Sequence, residues 1–302
     1  MVKKVNLIIL IIVAVATCVS ACTPELVELK EVPIKTNETS IKTNETTNKT
    51  SEKAASATVV PENVKTVKLV TGYSSDTLVE DMEAIKFGSY PQSDVNDSKK
   101  DPIEWIVLEK TGNGARLLSK YILDCKNYNN TYDNVTWETC DLRKWLNSDF
   151  YNKAFNSSEQ SAIKETNLVN NDNSEYKTSG GANTSDKVFC LSEEEIRKYF
   201  GNGEKKEYSG QVCFELGKNV TTKGTDYAKS VDNGGARLDV FNEVDKTYEA
   251  FFGNSNYWLR SPGYFQNCAA CVGCTGTVDI SAIDVGVTRN DYGVRPAIWI
   301  EW

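Results

Sequence analysis

The chain has no histidine, and that absence narrows its chemistry more than any other. It removes Ser-His-Asp and Cys-His machinery, a histidine general base and every zinc site that needs an imidazole. Catalysis, if there is any, would have to run on carboxylates, Lys, Tyr, Cys or a cofactor. A membrane-spanning run is lacking too. The apolar stretch Leu7–Val19 is 13 residues long, short of the roughly 20 that cross a bilayer as a helix. Positive charge is in deficit: the formal charge is -8. Removing the segment with Lys3 and Lys4 takes it to -10, since two of the cations go. Such a balance carries no electrostatic footprint for nucleic acid and no attraction to anionic lipid.

What is present is a globular chain with a polar extension. Its 302 residues are 40% apolar and 25% charged, enough to bury a core in one or two domains. At the front, Lys3 and Lys4 precede the 13-residue apolar run, which ends in "VSAC". Residues 1–21 read as a cleaved signal peptide. The small residues before Cys22 resemble the lipobox of bacterial lipoproteins, which implies a diacylglyceryl group on Cys22 and a position on the outer face of a cell membrane. An ordinary signal followed by a chance cysteine is the alternative. Residues 22–79 read as a tether. "IKTNETSIKTNETTNKTSEK" (34–53) copies one heptad once, with only Ile34 and Ile41 apolar. That is too little for a coiled coil or a solenoid and suits a disordered spacer.

Residues 80–302 read as an α+β domain with long irregular loops. "EAIKFGSYPQSD", "PIEWIVLEK" and "GARLLSKYILDC" cluster apolar residues in short runs bounded by Gly, Pro and Asp, as strands do. The period then changes. Leu142, Trp145, Leu146, Phe150 and Ala154 fall on one helical face, with Thr136 or Thr139 as cap. Ser157 and Gln160 have capping-box spacing, and so do Ser192 and Glu195 after the strand "VFCL". A polar loop is expected over residues 167–186 and an irregular stretch over 201–231. Strands return in "NYWLRSPGY", around "GTVDISAIDVGV" and in "YGVRPAIWIEW". The expected architecture pairs the terminal strands around central helices.

Arg260 and Arg295 are the most suggestive polar residues, because each lies next to or near a proline that favours extended chain. If their strands are neighbours, two guanidinium forks and the rings of Tyr257, Trp258 and Tyr292 form a site for a carboxylate, phosphate or sugar. The plainer reading buries each arginine against loop carbonyls and a carboxylate.

The ordered set "FGSYPQ", "PIEWIVLE", "ARLLSKYILDCKNYN", "TWETCDLRKWLN", "KVFCLSEEE", "YWLRSPG" and "GVRPAIWI" resembles a domain-of-unknown-function family of Gram-positive surface proteins. More distantly, "WLRSPG" followed by "GVRPA" is similar to the end of the formylglycine-generating-enzyme branch of the C-type-lectin-like fold. The resemblance implies a single lectin-like domain. It also implies Cys125 and Cys140 as the pair for a disulfide, with packed thiols as the alternative. The "EPN", "QPD" and "WND" motifs of calcium-dependent lectins are missing, and "SDVNDS" lacks the glycine and closing glutamate of a Ca²⁺ loop.

Cys268, Cys271 and Cys274 stand at C-x-x-C-x-x-C spacing, but the fourth Cys and the Pro of a ferredoxin run do not follow. Strand or loop packing, a disulfide or redox pair, and metal remain open for them, with packing preferred. No cofactor or metal is expected. The favoured function is a lipid-anchored module that binds a surface glycan or protein. An enzyme, either a carboxylate-pair hydrolase or a formylglycine-generating-like oxidase, and a structural envelope protein are the alternatives.

Overall fold

Short strands with one apolar face need a second layer to bury it, and the chain answers with two sheets joined by helices and tied loops. The computed structural model describes residues 68–69, 74–231, 253–283 and 285–302. The signal segment, Cys22 and the repeat at 34–53 lie outside the described residues.

One sheet runs β1 (Lys68–Leu69), β3 (Asp101–Thr111), β4 (Gly114–Ser119), β16 (Ala297–Glu301) and β6 (Ile163–Lys164). β2 (Ala84–Tyr90) also pairs with β3, and β9 (Val188–Phe189) with β16. The other sheet runs β10 (Glu204–Tyr208), β11 (Gln211–Glu215), β14 (Thr277–Asp279), β13 (Ala269–Val272), β12 (Tyr257–Pro262), β15 (Gly293–Val294) and β5 (Asp124–Cys125). β7 (Thr166–Leu168) and β8 (Thr184–Asp186) form a separate antiparallel pair. The architecture is α+β. The terminal strands lie in one sheet but do not pair with each other as expected: β2 pairs with β3, and β16 hydrogen-bonds β4. The fold begins before residue 80. β1 pairs with β3, and the Ser75 carbonyl accepts from the amides of Lys218 and Asn219.

The first helix, α1 (Asp141–Trp145), continues through a π turn (Leu146–Phe150) into Tyr151–Ala154. Leu142, Leu146, Phe150 and Ala154 are buried along one line, with Tyr151 buried beside Phe150. A spacing of four, kept three times, drifts off one face of a 3.6-residue helix. The wider π turn takes up that drift and returns Phe150 and Ala154 to the core. The cap is Cys140, whose sulfur accepts from the Arg143 amide at 3.4 Å, and not Thr136 or Thr139, which close the preceding turn. α2 (Ser157–Ala162) is capped one residue earlier than the spacing suggested, by an Asn156–Glu159 box. α3 (Glu193–Phe200) has the expected Ser192–Glu195 box.

The stretch expected to be irregular over 201–231 contains the β10–β11 hairpin and α4 (Asp226–Ser230). Ser209 and Gly210, both at positive φ, make the two-residue turn whose twist suits a hairpin. "EKKEY" has no apolar face, so the strand left no alternating signal.

Candidate functional site

Arg260 stands near the end of β12 and is 4% exposed. Its Nε donates to Asn170 Oδ1 at 3.2 Å and its Nη2 to the Val169 carbonyl at 3.3 Å. Nη1 donates to the Cys190 carbonyl at 3.2 Å and to Glu195 Oε2. Glu195 is the capping residue of α3, and its other oxygen accepts from Arg116 at 2.9 Å. Burial pushes the Glu195 carboxyl up, but the guanidiniums of Arg260 and Arg116 outweigh it and hold the group below the ordinary glutamate range. One carboxylate therefore caps a helix, neutralises two arginines and, through Arg260, holds the start of the loop after β7.

That loop is held by asparagines. The Asn173 amide donates to the carbonyls of Pro262 at 2.9 Å, Gly263 at 3.3 Å and Ile280 at 2.9 Å. Its oxygen accepts from the amides of Glu175 and Tyr176. Asn170 adds a bond to the Ala182 carbonyl and accepts Arg260. An amide side chain has both a donor and an acceptor in fixed geometry, so it can replace a strand partner where none is present. Gly180 is needed for closeness: a Cβ there would lie 2.3 Å from the carbonyl oxygens of Asn170 and Asn171.

Between this loop, the start of α3 and the end of β12 lies a cleft. It is lined by Asn170 to Ser174, Gly180, Ser192 to Glu194, Arg260 to Pro262, and Ile280. Its free volume is about 380 Å³ counting the open mouth, and the enclosed end, at about 10 Å³, is the size of one water. Any ligand is therefore gripped along the rim and not swallowed. Beside the cleft, Tyr264 and Phe265 are exposed, and Tyr264 packs on Tyr176 with ring centroids 4.4 Å apart and on Phe265 at 4.6 Å. The Asn173 bonds to Tyr176 and Gly263 fix this aromatic group to the cleft wall.

The other members of the suggested constellation do not join it. Arg295 lies where the chain passes from β15 of one sheet to β16 of the other. It is 1% exposed. Its Nε donates to the Ser119 carbonyl, and its Nη1 to the Val220 carbonyl and to the Tyr257 hydroxyl. It shares no partner with Arg260. Tyr257, Trp258 and Tyr292 are all core residues; Trp258 stacks on Tyr292 at 4.6 Å and donates to the Lys126 carbonyl. Alternation turns Tyr257 and Trp258 to opposite faces of β12; it does not part Trp258 from Arg260, two residues on, and over Trp258–Pro262 the register with β13 is irregular.

Cys125 and Cys140 are not bridged. Cys140 keeps its thiol, which burial pushes up to about 12, and uses it as the helix cap. The Cys125 sulfur instead faces the carbonyls of Asn290 and Tyr292 at 3.1 and 3.2 Å. Cys271 lies inside β13, with Cys268 just before it and Cys274 in the following turn; all three are buried. Among the described residues no group of three His, Cys, Asp or Glu could hold a metal.

The cleft was invisible in the sequence except for one signal. The Asn-rich run 167–186 read as a long loop, but neither Asn173 nor Glu195 stood out as a site residue. Glu195 was legible only as a cap.

A model of the family described as "Domain of unknown function (DUF6273)" matches residues 113–302. The match begins at the β3–β4 turn and takes in the cleft, while "FGSYPQ" and "PIEWIVLE" precede it. No curated protein and no solved structure matches the chain significantly.

Proposed function

The chain belongs to the family described as a domain of unknown function (DUF6273), and since that description names no activity, we propose from the chain's own geometry that it is a glycan-binding module displayed at a cell surface. The carrying observation is the polar cleft with Tyr264, Phe265 and Tyr176 beside it. Sugar rings present apolar C–H faces and hydroxyl edges together. Exposed aromatic rings take the first, and amides and carboxylates take the second. The cleft rim offers the second from Asn171, Asp172 and Glu194, and the exposed rings of Tyr264 and Phe265, just past lining residue Pro262, offer the first.

The address follows from the front of the chain: the "VSAC" site supports lipid attachment at Cys22, and the polar repeat supports a spacer that lets the module stand off the outer face of the membrane. The finer fold likeness, a C-type-lectin-like domain, rests on the closing "WLRSPG" and "GVRPA" motifs.

A glycan array probed with the detergent-solubilised full-length protein tests the reading. Binding to a family of related glycans, weakened about tenfold by Tyr264→Ala or Phe265→Ala, is the expected result, since a base or sugar ring stacked on an aromatic contributes on the order of 1 kcal/mol or more. An array with no glycan retained overturns it.

A further inference from the structure

Arg295 carries a charge that no neighbouring group answers. It is 1% exposed, and its partners are neutral: the Ser119 and Val220 carbonyls and the Tyr257 hydroxyl. Arg260 has Glu195, and Arg116 has Glu195 and Glu109, whereas Arg295 has no carboxylate partner among the described residues. A guanidinium keeps its proton inside a protein, and a buried ion left without a counter-charge is strongly destabilising. Tyr257 does not supply that charge, because burial pushes its hydroxyl above the ordinary tyrosine range and keeps it neutral.

The geometry also gives the place. Nε and Nη1 are spent on the carbonyls and the hydroxyl, while Nη2 is buried with no hydrogen-bond partner. Both of its hydrogens are uncommitted. The neighbouring hydroxyls add no donor, since Tyr257 donates to the Val220 carbonyl and Ser119 to the Tyr121 carbonyl. A carboxylate or phosphate pairs best with a free fork of two nitrogens, and only one is left. A monatomic anion needs no fork.

We propose that Arg295 Nη2 holds a single chloride ion in the layer between the sheets, and that this ion neutralises the guanidinium. Water is the rival occupant: it satisfies the two hydrogens but leaves the charge standing. Asn219 Oδ1, an acceptor buried without a partner next to Val220 in the chain, is suited to water and not to an anion. An ion must therefore be told from a solvent molecule.

The test is urea unfolding of the detergent-solubilised full-length protein at constant ionic strength, with chloride replaced stepwise by gluconate. An ion bound only to the folded state multiplies the folded-to-unfolded ratio by about ten for each tenfold rise in chloride above its dissociation constant, read as a rising midpoint. Arg295→Met, similar in length and uncharged, should lose that dependence. A wild-type midpoint indifferent to the exchange gives the position to water and overturns the proposal, and so does a dependence of equal size in the variant. If Arg295→Met does not fold, crystals of the wild-type protein grown in bromide decide. An anomalous peak within hydrogen-bonding distance of Nη2 sustains the proposal, and a position without one overturns it.

Discussion

Arg260 and Arg295 occupy similar sequence settings, both close to a proline in the last third of the chain, and both are buried, yet they do different work. Arg295 reaches Ser119 at the end of β4, Val220 and Tyr257 of β12, and so stitches one sheet to the other through two carbonyls and a hydroxyl. Arg260 reaches a loop and a helix cap, and its charge is answered by a carboxylate. Burial alone does not separate a staple from a site wall. The partners do. A guanidinium held by backbone carbonyls of two layers belongs to the fold, whereas one that ties a loop to a helix start shapes whatever opens between them.

The sharpest way to break this comparison is to truncate both residues and compare stability. Arg295→Ala removes the donors from the buried Ser119 and Val220 carbonyls and leaves a cavity between the sheets. The expected loss is on the order of 4 kcal/mol, measured as the shift in a urea unfolding midpoint. A loss within 1 kcal/mol of wild type would deny it the staple role. Arg260→Ala comes second. The Val169 carbonyl can turn to water, but the buried Cys190 carbonyl loses its donor and Glu195 keeps Arg116 as its one ionic partner among the described residues, and the expected cost is about 2 to 3 kcal/mol. The two variants should differ more in what they do to the cleft: hydrogen exchange at residues 169–174 should accelerate in Arg260→Ala while the β4 and β16 amides stay protected.

Much of the framework was readable because it repeats simple periods. The apolar runs of β2, β3, β4, β12 and β16, the buried face of α1 and the Ser192–Glu195 box each follow from local patterning. The parts that were not readable depend on contacts between distant residues. Nothing local distinguishes Asn173 from Asn170 or Asn171, yet only Asn173 meets the carbonyls of residues 262, 263 and 280. The same holds for the capping cysteine. Cys140 lies in a helix-start segment with two threonines nearby, and because the helix begins at Asp141 the residue placed to accept the Arg143 amide is Cys140, with its thiol, and not a threonine hydroxyl. The aromatic constellation failed for a related reason. Tyr257, Trp258 and Tyr292 sit close in sequence to the arginines, but their partners are distant core groups: Tyr257 meets Val220 and Arg295, and Trp258 meets the Lys126 carbonyl and the Tyr292 ring.

The smallest effect is also the most discriminating, because it reads charge and not packing. Glu195 is held below the ordinary glutamate range in the folded protein, so over acidic pH the native state binds fewer protons than the unfolded chain. Its stabilising contribution is fully present above the unfolded glutamate value near 4.5, and it is lost as pH falls through the lower folded value. Removing the Arg260 charge takes away the strongest opposition to the burial term, and the folded Glu195 pKa must rise. In Arg260→Ala the gap between the unfolded and folded Glu195 values closes, so the part of the acid loss of stability that Glu195 contributes below about pH 4.5 should shrink, giving a shallower acid limb than in wild type. Arg295 has no carboxylate partner among the described residues, so Arg295→Lys, which keeps a positive charge, should lower the whole curve and leave the steepness of that limb unchanged. A limb flattened equally by both substitutions would mean that the two arginines act on one electrostatic network, and the distinction between staple and site wall would fail.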